Sequence, residues 1–183
     1  MEKLPIILYQ GTVNEGRSFE TLIPAFQYIK YPLWIYGNGN FYEQTKDLIN
    51  KYKLQDKVFL KGKLPPAELK NITRSALLGI TLFENNGMSN YLSLANRFFD
   101  FMHAGLPQVC VDYPAYKGID NEFEIAVLID NLSSENIASC INALVADKNK
   151  LDRLKENCFK ASRVYNWQHE EVKIVQFYNE IFM

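Results

Sequence analysis

Apolar residues fall along this chain in short unbroken runs, separated by longer stretches in which they recur every three or four positions. The runs at 5–10, 33–36, 57–60, 77–82, 107–111 and 125–128 predict six strands. The helical spacing predicts helices over 18–29, 42–53, 65–74 and 93–103. Beyond the last strand the pattern is wholly helical, over 135–147, 150–163 and 168–182. Pro65-Pro66 opens its helix at no cost, because the first turn has no use for the missing N–H, and Gly105 stops the helix before it. Strands that are continuously apolar, rather than alternating, are buried on both faces. Separated by helices, they imply a parallel sheet of about six strands with helices on both sides and an all-helical C-terminal end.

Composition narrows this picture. At 183 residues and 48% apolar content the chain is sized for one α/β domain with a full core. No repeat or linker divides it, so residues 1–183 read as a single domain. Twenty Lys plus Arg against 21 Asp plus Glu leave no long-range field for nucleic acid or an anionic membrane. Any anionic ligand must be held by local groups. Cys110, Cys140 and Cys158 are far apart, and His103 and His169 stand alone, which points to reduced thiols and no protein-built metal site. The N-terminal Met-Glu-Lys-Leu-Pro lacks the pattern of a signal peptide, and no run approaches the ~20 apolar residues of a membrane helix. The expectation is a soluble, cytoplasmic domain without membrane insertion.

In a parallel sheet, ligands bind beyond the carboxyl ends of the strands, which selects the loops 11–17, 37–41, 61–65, 83–96 and 112–118. The most informative segment follows the fourth strand: Ser93-Leu94-Ala95-Asn96-Arg97-Phe98-Phe99-Asp100-Phe101-Met102-His103-Ala104-Gly105-Leu106-Pro107. A loop ending at a helix N-terminus presents free N–H groups and the positive end of the helix dipole, both suited to a diphosphate. An acid one turn further on is placed to accept hydrogen bonds from ribose hydroxyls. This segment resembles the nucleotide-binding signature S-x-P-x-K-x-x-E-Y-M-A-x-G-x-P of the retaining glycosyltransferases of GT-B fold, family 4. Ile7 to Gly11 with Glu15-Gly16, Trp34 to Gly39, Val58 to Leu64, and Trp167 to Tyr178 resemble four further patterns of that family in the same order.

The resemblance implies the C-terminal, donor-binding half of such an enzyme, with a Rossmann-like fold. It implies retaining transfer of a sugar from a nucleoside diphosphate in glycan or polysaccharide biosynthesis, with no cofactor required. A uridine diphosphate sugar is favoured and a guanosine diphosphate sugar is the second choice. The partner it implies is an N-terminal acceptor-binding domain or subunit, which would set any association with the inner face of a membrane. In the family, an Arg and a Lys after the first strand neutralise the departing diphosphate. Those positions are Thr12 and Glu15 here, so Arg17 and Arg97 are the expected catalytic cations. Gly11, Thr12, Gly16 and Gly37 form the glycine-flanked turns of the expected donor site, and Lys63 and Leu64 the base contact. Ala95 and Asn96 bring the helix N-terminus, and Asp100 binds the ribose. The family's first acid, which contacts the transferred sugar, falls on Leu92, leaving Asn90 or Ser93 for that role, while Glu84 lies too far upstream to assign. Two alternatives remain: a non-catalytic nucleotide-binding or assembly module, and a nucleotide-sugar epimerase-like domain, although the epimerase's usual His and paired acids are not recognisable. The spacing of glycines in 37–39 does not match a dinucleotide fingerprint.

Overall fold

A computed structural model describes residues 5–182. The reading of the first four residues therefore lies outside the described residues. Six parallel strands form one sheet: β1 (Ile7–Gln10), β2 (Leu33–Tyr36), β3 (Val58–Gly62), β4 (Leu78–Thr81), β5 (Gln108–Val111) and β6 (Ala126–Ile129). Their order is β3-β2-β1-β4-β5-β6, the doubly wound arrangement expected from the continuous apolar runs. The helices are α1 (Phe19–Ala25), α2 (Tyr42–Lys51), α3 (Pro66–Ser75), α4 (Met88–Leu92), α5 (Asn96–Ala104), α6 (Pro114–Phe123), α7 (Ser134–Ala146), α8 (Lys148–Val164) and α9 (Trp167–Phe182).

Alternation along β1 shows how the two helix layers are covered. Ile7 and Tyr9 belong to the large core with Phe19 and Leu22 of α1, whereas Leu8 packs with Phe101 of α5 and Leu106. Helix α1 packs on α2 and α7, while α5 packs on α3 and α8. Gly79 in β4 makes room for α5, because a Cβ there would lie 2.5 Å from the Phe101 ring.

Four expectations are corrected. The helix expected over 18–29 ends at Ala25, since Pro24 withholds its N–H and residues 26–28 continue in tighter turns, each amide bonding three residues back. The helix expected from residue 93 begins at Asn96. Ser93 and Ala95 are extended, linking α5 to the short helix α4, which lies within the loop expected over 83–96. The segment 112–118, read as a ligand loop, is mostly helix α6, with Pro114 in its first turn. Of its side chains, Tyr116 and Ile119 are buried. Helix α9 forms as expected but buries none of its residues.

Candidate functional site

The strand order reverses between β1 and β4, so the connections leaving their carboxyl ends diverge and open a crevice. Gln10 to Thr12 form its floor. Gly37 packs so closely beside them that a Cβ would overlap the Gly11 carbonyl oxygen, and its φ is 149°, a conformation side chains avoid. Glycine at 11 serves a different purpose: a Cβ there would crowd Arg97 Nη1 at 3.3 Å.

Three adjoining hollows share this floor. The first, about 260 Å³, is bounded by Arg17, Phe83, Ala95, Asn96 and Arg97. The second, also about 260 Å³, lies under Tyr36, Gly37, Lys63 and Leu64. The third, about 430 Å³, meets the floor at Gln10 and has Thr73, Phe99 and Asp100 among its walls. Arg17, Lys63 and Asp100, on three separate connections, are thus brought to one edge of the sheet around Gln10 to Thr12.

The first hollow has an unusual charge. Arg97 is buried, donates from Nη1 to the Gln10 carbonyl at 3.2 Å, and has its Cζ 4.4 Å from the Tyr9 ring centroid and 4.6 Å from that of Phe83. Arg17, half-buried, donates from Nη1 to Asn90 Oδ1 at 3.0 Å, and its Cζ lies 4.5 Å from the same Phe83 ring. Among the described residues neither guanidinium belongs to an ion pair, and the buried Nε of each has no hydrogen-bond partner. Burial first, and the charge of Arg97 second, push the Arg17 pKa down from its ordinary value. Two cations lining one hollow without a counter-ion form a site ready for an anion.

The start of α5 adds to it. The Ala95 N–H is already taken, donating to Tyr116 Oη at 2.9 Å. Asn96 and Arg97 lie in the first turn, where an amide has no carbonyl one turn back to bond. The positive end of the helix therefore faces the hollow that the arginines line.

Asp100, one turn into α5, accepts at Oδ2 from Gln10 Nε2 at 2.9 Å. Gln10 is itself oriented by Thr73, whose hydroxyl donates to its Oε1 at 2.7 Å. Partial burial raises the Asp100 pKa, opposed by the Gln10 hydrogen bond. Lys63 is exposed and Leu64 half-buried at the mouth of the second hollow.

Other expected residues lie apart from this edge. Leu92, on α4, is 54% exposed, and Ser93 is exposed with its hydroxyl directed 3.4 Å to the Asn90 carbonyl. Asn90 meets the site only through Arg17, and its Nδ2 donates to the Glu84 carbonyl and to Asn86 Oδ1. Gly16 has a φ of 75°, and a Cβ there would meet Asn86 Nδ2 at 2.6 Å. The Glu84 pKa is raised, chiefly by burial and then by Glu20. Sequence reasoning overlooked Gln10, Phe83 and Tyr116. A polar residue closing an apolar strand and an aromatic directly after another strand were the available signals.

Among the described residues no group of three or more His, Cys, Asp and Glu is gathered to hold a metal, and no helix is long and apolar enough to cross a membrane. Residues 1–161 match the family model for glycosyl transferases group 1. The chain is 26% identical over 158 residues to a poly(glycerol-phosphate) alpha-glucosyltransferase of Bacillus subtilis, covering 86% of this chain and 22% of that protein. Its fold superposes on Anabaena Alr3699/HepE, solved in complex with UDP and glucose, at a TM-score of 0.83 and 16% identity, covering 97% of this chain and 48% of the other. Sucrose-phosphate synthase from Thermosynechococcus elongatus gives 0.83 and 20%, covering 98% and 46%. The chain thus spans about half the length of these two solved proteins and about a fifth of the Bacillus relative. A family match over most of its length, on a doubly wound fold, makes this chain a member of the glycosyl transferases group 1, with the fold of the C-terminal half of GT-B glycosyltransferases.

Proposed function

We propose that this domain, spanning residues 1–183, binds a nucleoside diphosphate sugar and presents it for retaining transfer to an acceptor held by a second, N-terminal half. The observation that carries this reading is the pair Arg17 and Arg97, both against the Phe83 ring and lining one hollow without a counter-ion among the described residues. A diphosphate supplies the missing charge. As the bond to the sugar breaks, negative charge grows on the leaving phosphate, and fixed cations beside it lower the barrier without having to reorganise. Only Nη1 of each guanidinium is hydrogen-bonded among the described residues, so Nη2 is left for phosphate oxygens in the hollow both line, and the N-terminus of α5 adds its amides.

The other hollows divide the remainder of the donor. Asp100, oriented by Gln10, accepts from ribose hydroxyls, and the base lies by Tyr36, Lys63 and Leu64. Uridine is favoured over guanosine because the Anabaena protein was solved with UDP and, separately, with UDP-glucose. No cofactor enters this scheme, because the charge on the leaving group is met by side chains and amides. The acceptor half docks on α9, whose Val175, Phe177, Tyr178 and Phe182 are exposed, the three rings packing on one another along the helix. The cell compartment that fits this chemistry is the cytoplasm.

The test is calorimetric titration of the chain with UDP, GDP and ADP. UDP binding that Arg17→Ala weakens at least tenfold supports the reading, and absence of binding by all three defeats it. A second reading, a binding module without transferase activity, is favoured by one observation: Leu92 stands where the family carries its sugar-contacting acid, and it faces solvent. Transfer of glucose from UDP-glucose after addition of the acceptor half excludes that second reading.

A further inference from the structure

Two guanidiniums at one site repel each other, and something other than a carboxylate must hold them together. A carboxylate would neutralise the pair and occupy the donors that a diphosphate needs. Among the described residues both cations lie against the Phe83 ring, whose centroid is 4.5 Å from Arg17 Cζ and 4.6 Å from Arg97 Cζ. The face of an aromatic ring is negative, so it attracts a cation while accepting none of its in-plane N–H groups. We infer that Phe83 is a positioning residue, an aromatic cradle that keeps Arg17 and Arg97 at one site and uncompensated, so that the N–H groups not spent on Asn90 and Gln10 are left for an incoming diphosphate.

The ring is itself held in place. Phe83 is almost wholly buried, its carbonyl accepts from Tyr113 Oη at 2.6 Å, and it stacks on Tyr116 with centroids 6.3 Å apart and planes 17° from parallel. Tyr116 also accepts the Ala95 N–H at 2.9 Å, so the arginine cradle and the start of α5 are aligned by the same side chain. Tyr9 covers Arg97 from a second direction, with its ring centroid 4.4 Å away. The lowered pKa of Arg17 agrees with a desolvated cation facing another cation.

The inference rests on the donor-site reading, and the experiment separates the two. Binding of UDP, uridine and inorganic pyrophosphate is measured for the wild-type chain and for Phe83→Leu, Phe83→Met and Phe83→Tyr, with folding checked by circular dichroism. The expected result is a loss of about tenfold or more in UDP affinity for Leu and Met, recovered by Tyr, with any uridine affinity unchanged. Methionine fills the volume without a π face, so it keeps the test alive if the leucine variant unfolds. Should the wild type bind UDP and the folded Met variant bind it within twofold, the cradle is wrong and the donor site stands. Failure of Tyr to restore binding overturns the cradle as well, because the ring face is then not what matters. If UDP fails to bind but pyrophosphate binds and is lost in Met, the cradle holds and the donor reading falls. Binding of neither overturns both.

Discussion

Replacing Arg97 by methionine separates a cation kept for a ligand from one kept for the fold. In the free protein the substitution removes one charge-assisted hydrogen bond to the Gln10 carbonyl, about 1.5–3 kcal/mol, and two desolvated contacts with aromatic faces, about 2 kcal/mol each. Against these losses stands the relief of a buried charge with no counter-ion, whose desolvation costs several kcal/mol, together with its repulsion of Arg17. The two sides nearly cancel. The expected change in stability is within about 1 kcal/mol of zero, a shift of roughly 2–4 °C in melting temperature for a domain of this size. The bound state is a different matter. Each charge-assisted hydrogen bond to a phosphate oxygen is worth about 1.5–3 kcal/mol, so losing one weakens UDP roughly 10- to 150-fold. Differential scanning calorimetry of the free chain and titration with UDP read the two quantities separately. A fall in melting temperature beyond about 8 °C with UDP affinity unchanged would refute the reasoning, since Arg97 would then serve the fold alone.

Four further outcomes are expected. Asp100→Ala should weaken UDP but leave 2′,3′-dideoxy-UDP unaffected, and equal losses for both nucleotides would remove the ribose contact. Because burial raises the Asp100 pKa, its carboxylate is lost at a higher pH than that of an ordinary Asp, so UDP affinity should fall as pH is lowered through that raised value. The sign for stability is opposite: a carboxyl with a raised folded pKa opposes folding at neutral pH and is relieved in acid, so Asp100→Asn should be neutral to stabilising at pH 7, by thermal melting. Tyr116→Phe strands the Ala95 N–H and should cost about 1–3 kcal/mol in a urea titration; no change would mean that water replaces the hydroxyl there.

The sheet was readable because burial on both faces writes itself as unbroken apolar runs, and all six strands lie at those runs. Helix α6 was not, since Pro114 and Gly118 look like loop residues. The spacing of Tyr116, Ile119 and Phe123 carried the helical signal beneath them. The start of α5 was misplaced for a related reason: Ser93 has the look of an N-cap, yet the chain stays extended to Ala95, where Tyr116 anchors it. Arg17 and Arg97 were selected through the family resemblance, Arg97 on its basic position and Arg17 as the nearest positive charge to the absent pair. What holds them was hidden, because Gln10, Phe83 and Tyr116 read locally as ordinary strand and core residues and acquire their roles only when distant elements meet.

Helix α9 has a thermodynamic consequence of its own. A single helix of 16 residues without a buried side chain is marginal in water, so its amides open independently of the sheet. Under native exchange it is expected to deuterate fast, while the backbone of the strands waits for global unfolding. Slowing of α9 on addition of the proposed acceptor half then reports docking at one segment, growing as the partner's concentration rises above its dissociation constant. On the proposed assembly, α9 is in effect a built-in gauge, quiet when the halves are joined and exchanging freely when they are apart.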